Sequence, residues 1–166
     1  MGADDARGGG RDTTADFAAW VEPELSKMSR LAARLAPNAD RDDVVQEALV
    51  RAWRKRDLYD QRRGTVATWL LAITADQAKR ARRRQRPSGL VGEINVPSRS
   101  PDDRVDVEAA VARLAKRQKL AVDCFYFVGL SVAETAAVMG CSEGTVKSTL
   151  SDARKRLRPL LEVHDG

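Results

Sequence analysis

Between Ser142 and Arg158 the chain sets out hydrogen-bond donors and cations in a definite order. Glu143, Thr145, Lys147, Ser148 and Ser151 come first, and Arg154, Lys155, Arg156 and Arg158 follow. Hydroxyls and an ammonium group early in a helix suit hydrogen bonds to base edges, and cations further along suit phosphate. A second concentration of charge lies upstream, where six of the eight residues from Lys79 to Arg86 are basic. Such a run is either a solvated helix end or a contact for a polyanion. A third group, Asp43, Gln46 and Glu47, combines carboxylates and an amide at helical spacing. Nothing in the sequence gathers groups for catalysis. The lone His164 sits in the C-terminal tail, and Cys124 and Cys141 form no CxxC pair. Asp40, Asp42 and Asp43 are explained by a helix start. No metal, cofactor or enzymatic activity is expected.

The overall balance agrees with a moderate, local attraction to polyanions. The 166 residues carry 29 Lys and Arg against 24 Asp and Glu, a formal charge of +5, so distribution matters more than sum. Two cysteines cannot staple a chain of this length, which fits a reducing compartment. The sequence offers neither a transmembrane run nor an apolar signal core, so a cytoplasmic protein with no membrane partner is expected.

These groups need helices to hold them. Residues 1–13 are Gly-rich and polar and are expected to form a disordered tail. Phe17, Val21, Leu25, Met28, Leu31 and Leu35 then recur every three or four positions, and Pro23 predicts a kink or two helical pieces. Asp40 is placed to cap the next helix, with acidic residues in its first turn. On a wheel of about 100° per residue, Val45, Ala48, Leu49 and Ala52 gather on one side, and Asp43, Gln46, Glu47 and Val50 on the other. A polar turn over about 57–64 leads to a third helix starting near Thr65. Its buried stripe is predicted as Val66, Trp69, Leu70 and Ile73, and Pro87 forbids its continuation. The basic run therefore forms the last turns of that helix.

Residues 87–104 lose all periodicity and read as a flexible linker. Apolar spacing resumes at Val107, Ala110, Val111 and Leu114, then at Leu120, Ala121, Cys124, Phe125 and Val128. Ser131-Val132-Ala133-Glu134 is a capping-box pattern, Gly140 lies in a turn, and Ser142 caps a last helix facing inward with Val146, Leu150, Ala153 and Leu157. A short capped helix, a tight turn and a second capped helix describe a helix-turn-helix. No strand pattern occurs. The expected fold is all-α: two small helical domains, 14–86 and 105–162, joined by the linker.

Ser142-Glu143-Gly144-Thr145-Val146-Lys147-Ser148, with Leu150-Ser151 and Ala153-Arg154, resembles the region 4 recognition helix of extracytoplasmic-function sigma factors. Leu130-Ser131, Ala133-Glu134 and Met139-Gly140-Cys141 resemble the helix before it. Response-regulator output domains carry a similar Glu-Gly-Thr-Val-Lys stretch, but they also need an α/β receiver. Asp42-Asp43-Val44-Val45-Gln46-Glu47-Ala48-Leu49 with Arg51-Ala52-Trp53 resembles sigma region 2, and Thr68-Trp69-Leu70-Leu71-Ala72-Ile73 its promoter-reading helix. The resemblance implies that Asp43, Gln46 and Glu47 bind core RNA polymerase. It implies that Asp76, Lys79, Arg80, Arg83 and Arg84 meet promoter DNA at the minus-ten box. Thr145, Lys147, Ser148, Ser151, Arg154 and Lys155 would do so at the minus-thirty-five box. The loop over about 59–66 corresponds to the part that captures an extruded base, and an anti-sigma partner is implied as well.

The sequence departs from the family pattern in places. Asp76 stands where an asparagine is usual, Thr149 and Asp152 where arginine is common, and Ala115 replaces a proline. Fewer cations should weaken phosphate binding and alter promoter choice. The competing reading is a dimeric helix-turn-helix regulator acting without polymerase. No spare apolar helix is evident for its dimer interface, so a monomer outside the polymerase complex is expected.

Overall fold

The computed structural model describes residues 13–85 and 103–162; the expectations for the N-terminal tail, Arg86, most of the linker and His164 lie outside these ranges. Among the described residues all regular structure is helical: α1 (Thr13–Val21), α2 (Leu25–Leu35), α3 (Arg41–Lys55), α4 (Val66–Gln85), α5 (Asp103–Ala112), α6 (Lys116–Val122), α7 (Val132–Met139) and α8 (Glu143–Glu162). The break expected at Pro23 is a 3₁₀ turn, Glu22–Glu24, between α1 and α2. Asp40 caps α3, its Oδ1 accepting from the amides of Asp42 at 2.9 Å and Asp43 at 3.1 Å. Ser131 and Glu134 close the predicted capping box on α7. Ser142 Oγ accepts from the Thr145 amide at 3.1 Å. Gly140 takes φ +65° at the end of α7, a left-handed conformation that a side chain would strain. After α6 the chain widens into a π turn, Asp123–Val128, which Gly129 closes at φ +81°.

Two apolar clusters hold these helices. The second belongs to the C-terminal half alone, with Val111, Leu114, Ala121, Val122, Ala136, Met139, Val146, Leu150 and Ala153. The first is shared. Met28, Leu31, Leu70 and Leu71 from the N-terminal half join Cys124, Val128, Leu130 and Val138 from the C-terminal half. Helix α7 lies against α4, and the π turn lies against α2.

This shared packing corrects the predicted stripe of α4. Leu70 is buried as expected, but Val66, Trp69 and Ile73 are only half-buried. The buried face is Leu70, Leu71, Thr74, Ala75, Gln77, Ala78 and Ala81. The physical reason is that α4 is covered by α2, α3 and α7 together, so its enclosed arc is wider than a single-faced helix needs. Val44 on α3 is likewise buried beyond the predicted set, whereas Val107 on α5 is exposed.

Arg34 on α2 is the polar tie between the halves. Its Nη1 and Nη2 donate to the two carboxylate oxygens of Glu108 at 2.7 and 3.0 Å. Its Nε donates to Asp123 Oδ1 at 2.9 Å, and its guanidinium lies 3.7 Å from the centroid of the Phe127 ring. Lys119 donates to the other Asp123 oxygen at 2.6 Å. A separate bond of 2.8 Å joins Lys27 Nζ to Glu134. Cys124 is enclosed in the shared core, and burial pushes its thiol up to about 12, so it stays protonated and unreactive at neutral pH.

Candidate nucleic-acid interface and acidic groove

Helix α8 presents what the sequence predicted. Val146, Leu150 and Ala153 point inward, while Glu143, Thr145, Lys147, Ser148, Asp152, Arg154, Lys155, Arg156 and Arg158 are exposed and Ser151 is half-exposed. The small hydroxyls are engaged locally. Ser142 Oγ lies 2.9 Å from Thr145 Oγ1, and Ser148 Oγ donates to the Thr145 carbonyl at 3.0 Å. These bonds shape the first turn and leave Lys147 as its free, long-reaching donor. Arg154 donates to the hydroxyl of Tyr126 at 3.0 Å, which holds its guanidinium at the surface beside the π turn.

On α4, Asp76, Lys79, Arg80, Arg83 and Arg84 are all exposed. Asp76 is paired one turn along with Arg80, Oδ2 to Nε at 3.3 Å, both side chains about half-exposed. Such a pair is worth a few tenths of a kcal/mol. Asp76 also borders a small cavity of about 200 Å³ with Arg51, Lys55, Trp69, Ala72 and Ile73. The loop before α4 is pinned by aromatics. The Tyr59 ring sits 5.4 Å from that of Trp20 and 5.3 Å from that of Trp69, and its hydroxyl donates to the Gly64 carbonyl at 2.9 Å. Asp60 turns the same loop, and the hydrogen bond from the Arg62 amide holds its carboxyl below the usual carboxylate range.

On α3, Asp43, Gln46 and Glu47 are exposed together on the side away from the core. They line a groove of about 460 Å³ that runs along the seam between α3 and α4. The opposite wall is Gln77, Ala81, Arg84 and Gln85. Arg84, grouped by sequence with the DNA-facing cations, is thus brought together with the carboxylates of α3. Sequence reasoning missed Gln77, the Trp20–Tyr59–Trp69 cluster and Arg34. Only the aromatic cluster had a visible signal, in the spacing of large rings around a polar turn. Among the described residues no group of His, Cys, Asp and Glu could hold a metal ion, and no helix is long and apolar enough to cross a membrane.

The architecture is that of a two-part helical DNA-binding protein whose second part is a helix-turn-helix. Residues 20–88 match the sigma-70 region 2 family and residues 104–157 the sigma-70 region 4 family. The chain is 33% identical over 155 residues to the ECF RNA polymerase sigma factor SigL of Mycobacterium tuberculosis, covering 87% of this chain and 88% of that one. It is 32% identical over 161 residues to the ECF RNA polymerase sigma-E factor of Escherichia coli K12, covering 81% and 83%. The solved sigma factor RpoE of Bartonella quintana, in complex with the anti-sigma factor NepR, superposes with a TM-score of 0.62 at 30% identity, over 90% of this chain and 98% of that chain. The chain belongs to the extracytoplasmic-function RNA polymerase sigma factors, and is not an enzyme.

Proposed function

We propose that this sigma factor divides its work between the surfaces described above, in the cytoplasm. Residues 14–86 dock on core polymerase through Asp43, Gln46 and Glu47. The same unit meets the minus-ten box through Asp76, Lys79, Arg80, Arg83 and Arg84. Residues 105–162 grip the minus-thirty-five box through Thr145, Lys147, Ser148, Ser151, Arg154 and Lys155. The observation that carries this reading is the exposure of both polar sets on helix faces that the two cores do not use. Asp76 acts as an acceptor for the exocyclic amine of cytosine or adenine, with Arg80 limiting its repulsion of phosphate.

Reach requires the two halves to part. A compact body of this size has a radius of gyration of about 14 Å. Boxes about 25 base pairs apart lie ~85 Å from each other at ~3.4 Å per pair. The closed packing is therefore a resting form, and an anti-sigma factor, such as the one that RpoE of Bartonella quintana binds, is a partner that would hold this chain inactive.

Run-off transcription with purified core polymerase and a library of genomic fragments tests the reading. Initiation at a restricted set of promoters is expected. Tight, specific DNA binding by a dimer of the free protein would favour the regulator reading instead. Within α8, Lys147→Ala should weaken promoter binding by ~1–3 kcal/mol in a manner that depends on the bases of the upstream box. Arg154→Ala should cost affinity evenly across box variants and flatten the salt dependence. Identical profiles for the two variants across a box library would refute the division between reading and positioning residues.

A further inference from the structure

Tyr126 stands out on the surface of the C-terminal half. It is 51% exposed, whereas Cys124 and Val128 of the same π turn are enclosed, and it belongs to neither apolar cluster. The side chain is nevertheless held in place. The Phe125 ring meets it edge-on, with centroids 5.0 Å apart, and its hydroxyl accepts from Arg154 Nη1 at 3.0 Å. Folding alone gives little reason for that bond. Both groups are exposed, water would serve each of them, and the net gain in stability is small.

The place of the bond on α8 gives it a use. At about 100° per residue, Lys147, Ser151, Arg154 and Arg158 fall within roughly 60° of one another and form a single stripe. Arg154 lies two turns beyond Lys147, about 10 Å along the axis. The major groove is about 12 Å wide, so a side chain that far from the base-reading turn arrives at the rim, where the phosphates are. Tyr126 comes to the same rim from outside the helix-turn-helix, 28 positions earlier in the sequence. A phenolic oxygen both accepts and donates. Its acceptor side is taken by Arg154, and its O–H donates to no group among the described residues. Arg154 spends one N–H on Tyr126 and keeps the rest of its guanidinium. A neutral donor and a charged one thus converge where an anionic oxygen would meet both, and Tyr and Arg side chains both serve as phosphate contacts.

We propose that Tyr126 is a DNA-contacting residue, which with Arg154 clamps one phosphate at the edge of the minus-thirty-five box. Its O–H donates to that phosphate while its oxygen holds the guanidinium at the angle that meets the same group. The clamp rests on the reading of Arg154 as a phosphate contact and adds to it a residue of the π turn. It sets the register of α8 on the duplex and carries no base preference.

The test uses the full chain assembled with core polymerase and measures binding to a duplex that spans both promoter boxes. Tyr126→Phe removes the hydroxyl and keeps the ring against Phe125. Affinity should fall about tenfold, the loss of one hydrogen bond to a charged group, evenly across upstream-box variants and with the parent's unfolding midpoint. A phenol releases no counterion, so Tyr126→Phe should keep the parent's salt dependence, whereas Arg154→Ala should flatten it. Replacing each phosphate of the upstream box in turn by a neutral methylphosphonate locates the contact. One position should weaken the parent strongly and both variants much less. Parent-like affinity of Tyr126→Phe, or a loss that follows the bases of the box, would overturn the clamp. So would a Tyr126→Phe protein that keeps the parent's full sensitivity at every phosphate, which would leave the hydroxyl as a tie between the π turn and α8. If Arg154→Ala alone loses affinity, the phosphate reading of Arg154 stands and the role of Tyr126 falls. If Arg154→Ala binds like the parent, the reading of Arg154 fails first and the clamp fails with it.

Discussion

Arg34→Ala is expected to lower the unfolding free energy by about 3 kcal/mol and to let the two halves of the protein separate. The guanidinium meets Glu108, Asp123 and Phe127 at once, and the Asp123 side chain is only 3% exposed. Truncating one partner of a buried pair leaves the other charged and unsolvated, which typically costs about 3–5 kcal/mol. The lower end applies here for two reasons. Glu108 is 44% exposed and regains water readily, and Lys119 remains bonded to Asp123. Arg34→Lys should recover only part of the loss, because an ammonium cannot span two carboxylates with a fixed fork. Asp123→Asn in the Arg34→Ala background should restore part of the loss, since it removes a buried charge but also gives up the ion pair with Lys119. Denaturant unfolding gives the energies, and the distance between one fluorophore on α3 and one on α8 gives the separation. An Arg34→Ala protein as stable and as closed as the parent would show that the apolar contacts of Cys124, Val128, Leu130 and Val138, with the Lys27–Glu134 bond, suffice to hold the halves together.

That tie marks the boundary of what the sequence discloses. Helix positions were legible because each rests on local rules. Asp40, Ser131 and Ser142 are caps whose partners lie two to three residues away, and Pro23 acts on its own turn. The exposure of Asp43, Gln46 and Glu47 was legible for a similar reason, since one periodic helix with one apolar face fixes its opposite face. Arg34, Glu108 and Asp123 are separated by 74 and 89 positions, and no periodicity couples them. The same holds for α4. Its pattern was read as one stripe, whereas α7, contributed by the other half of the chain, encloses a second side of it. Thr74 and Gln77 are polar yet buried, and hydropathy carries no signal for that. Arg84 illustrates the converse. Composition grouped it with the basic run, but a turn of about 100° per residue carries it around the helix to the acidic seam.

The triple change Asp43→Ala, Gln46→Ala and Glu47→Ala should reduce affinity for core polymerase by at least about a hundredfold while leaving the fold intact. All three side chains are exposed, and none makes a side-chain hydrogen bond or ion pair among the described residues, so nothing in the cores is lost with them. The cap of α3 survives, because Asp40 binds the amide of residue 43 and not its carboxylate. Alanine is the better helix former at positions 46 and 47, while the change at Asp43 gives up a favourable first-turn charge, so the melting curve should move little. Binding is different. Each charged contact in a desolvated interface contributes about 1.5–3 kcal/mol, and residues of this kind near the centre of an interface dominate its energy. Two carboxylates and an amide removed together therefore exceed the roughly 2.7 kcal/mol that a hundredfold loss requires. The helix-turn-helix supplies the internal control: Lys147 and Arg154 lie on α8, outside the altered face, so binding of the free protein to an upstream-box duplex should be unchanged. Pull-down on core polymerase, thermal melting and duplex binding, measured on the same preparation, distinguish the cases. Loss of all three would indicate a folding defect, and retained polymerase binding with a normal melt would place the docking surface elsewhere. The loss of polymerase binding alone is the result that the geometry of α3 predicts.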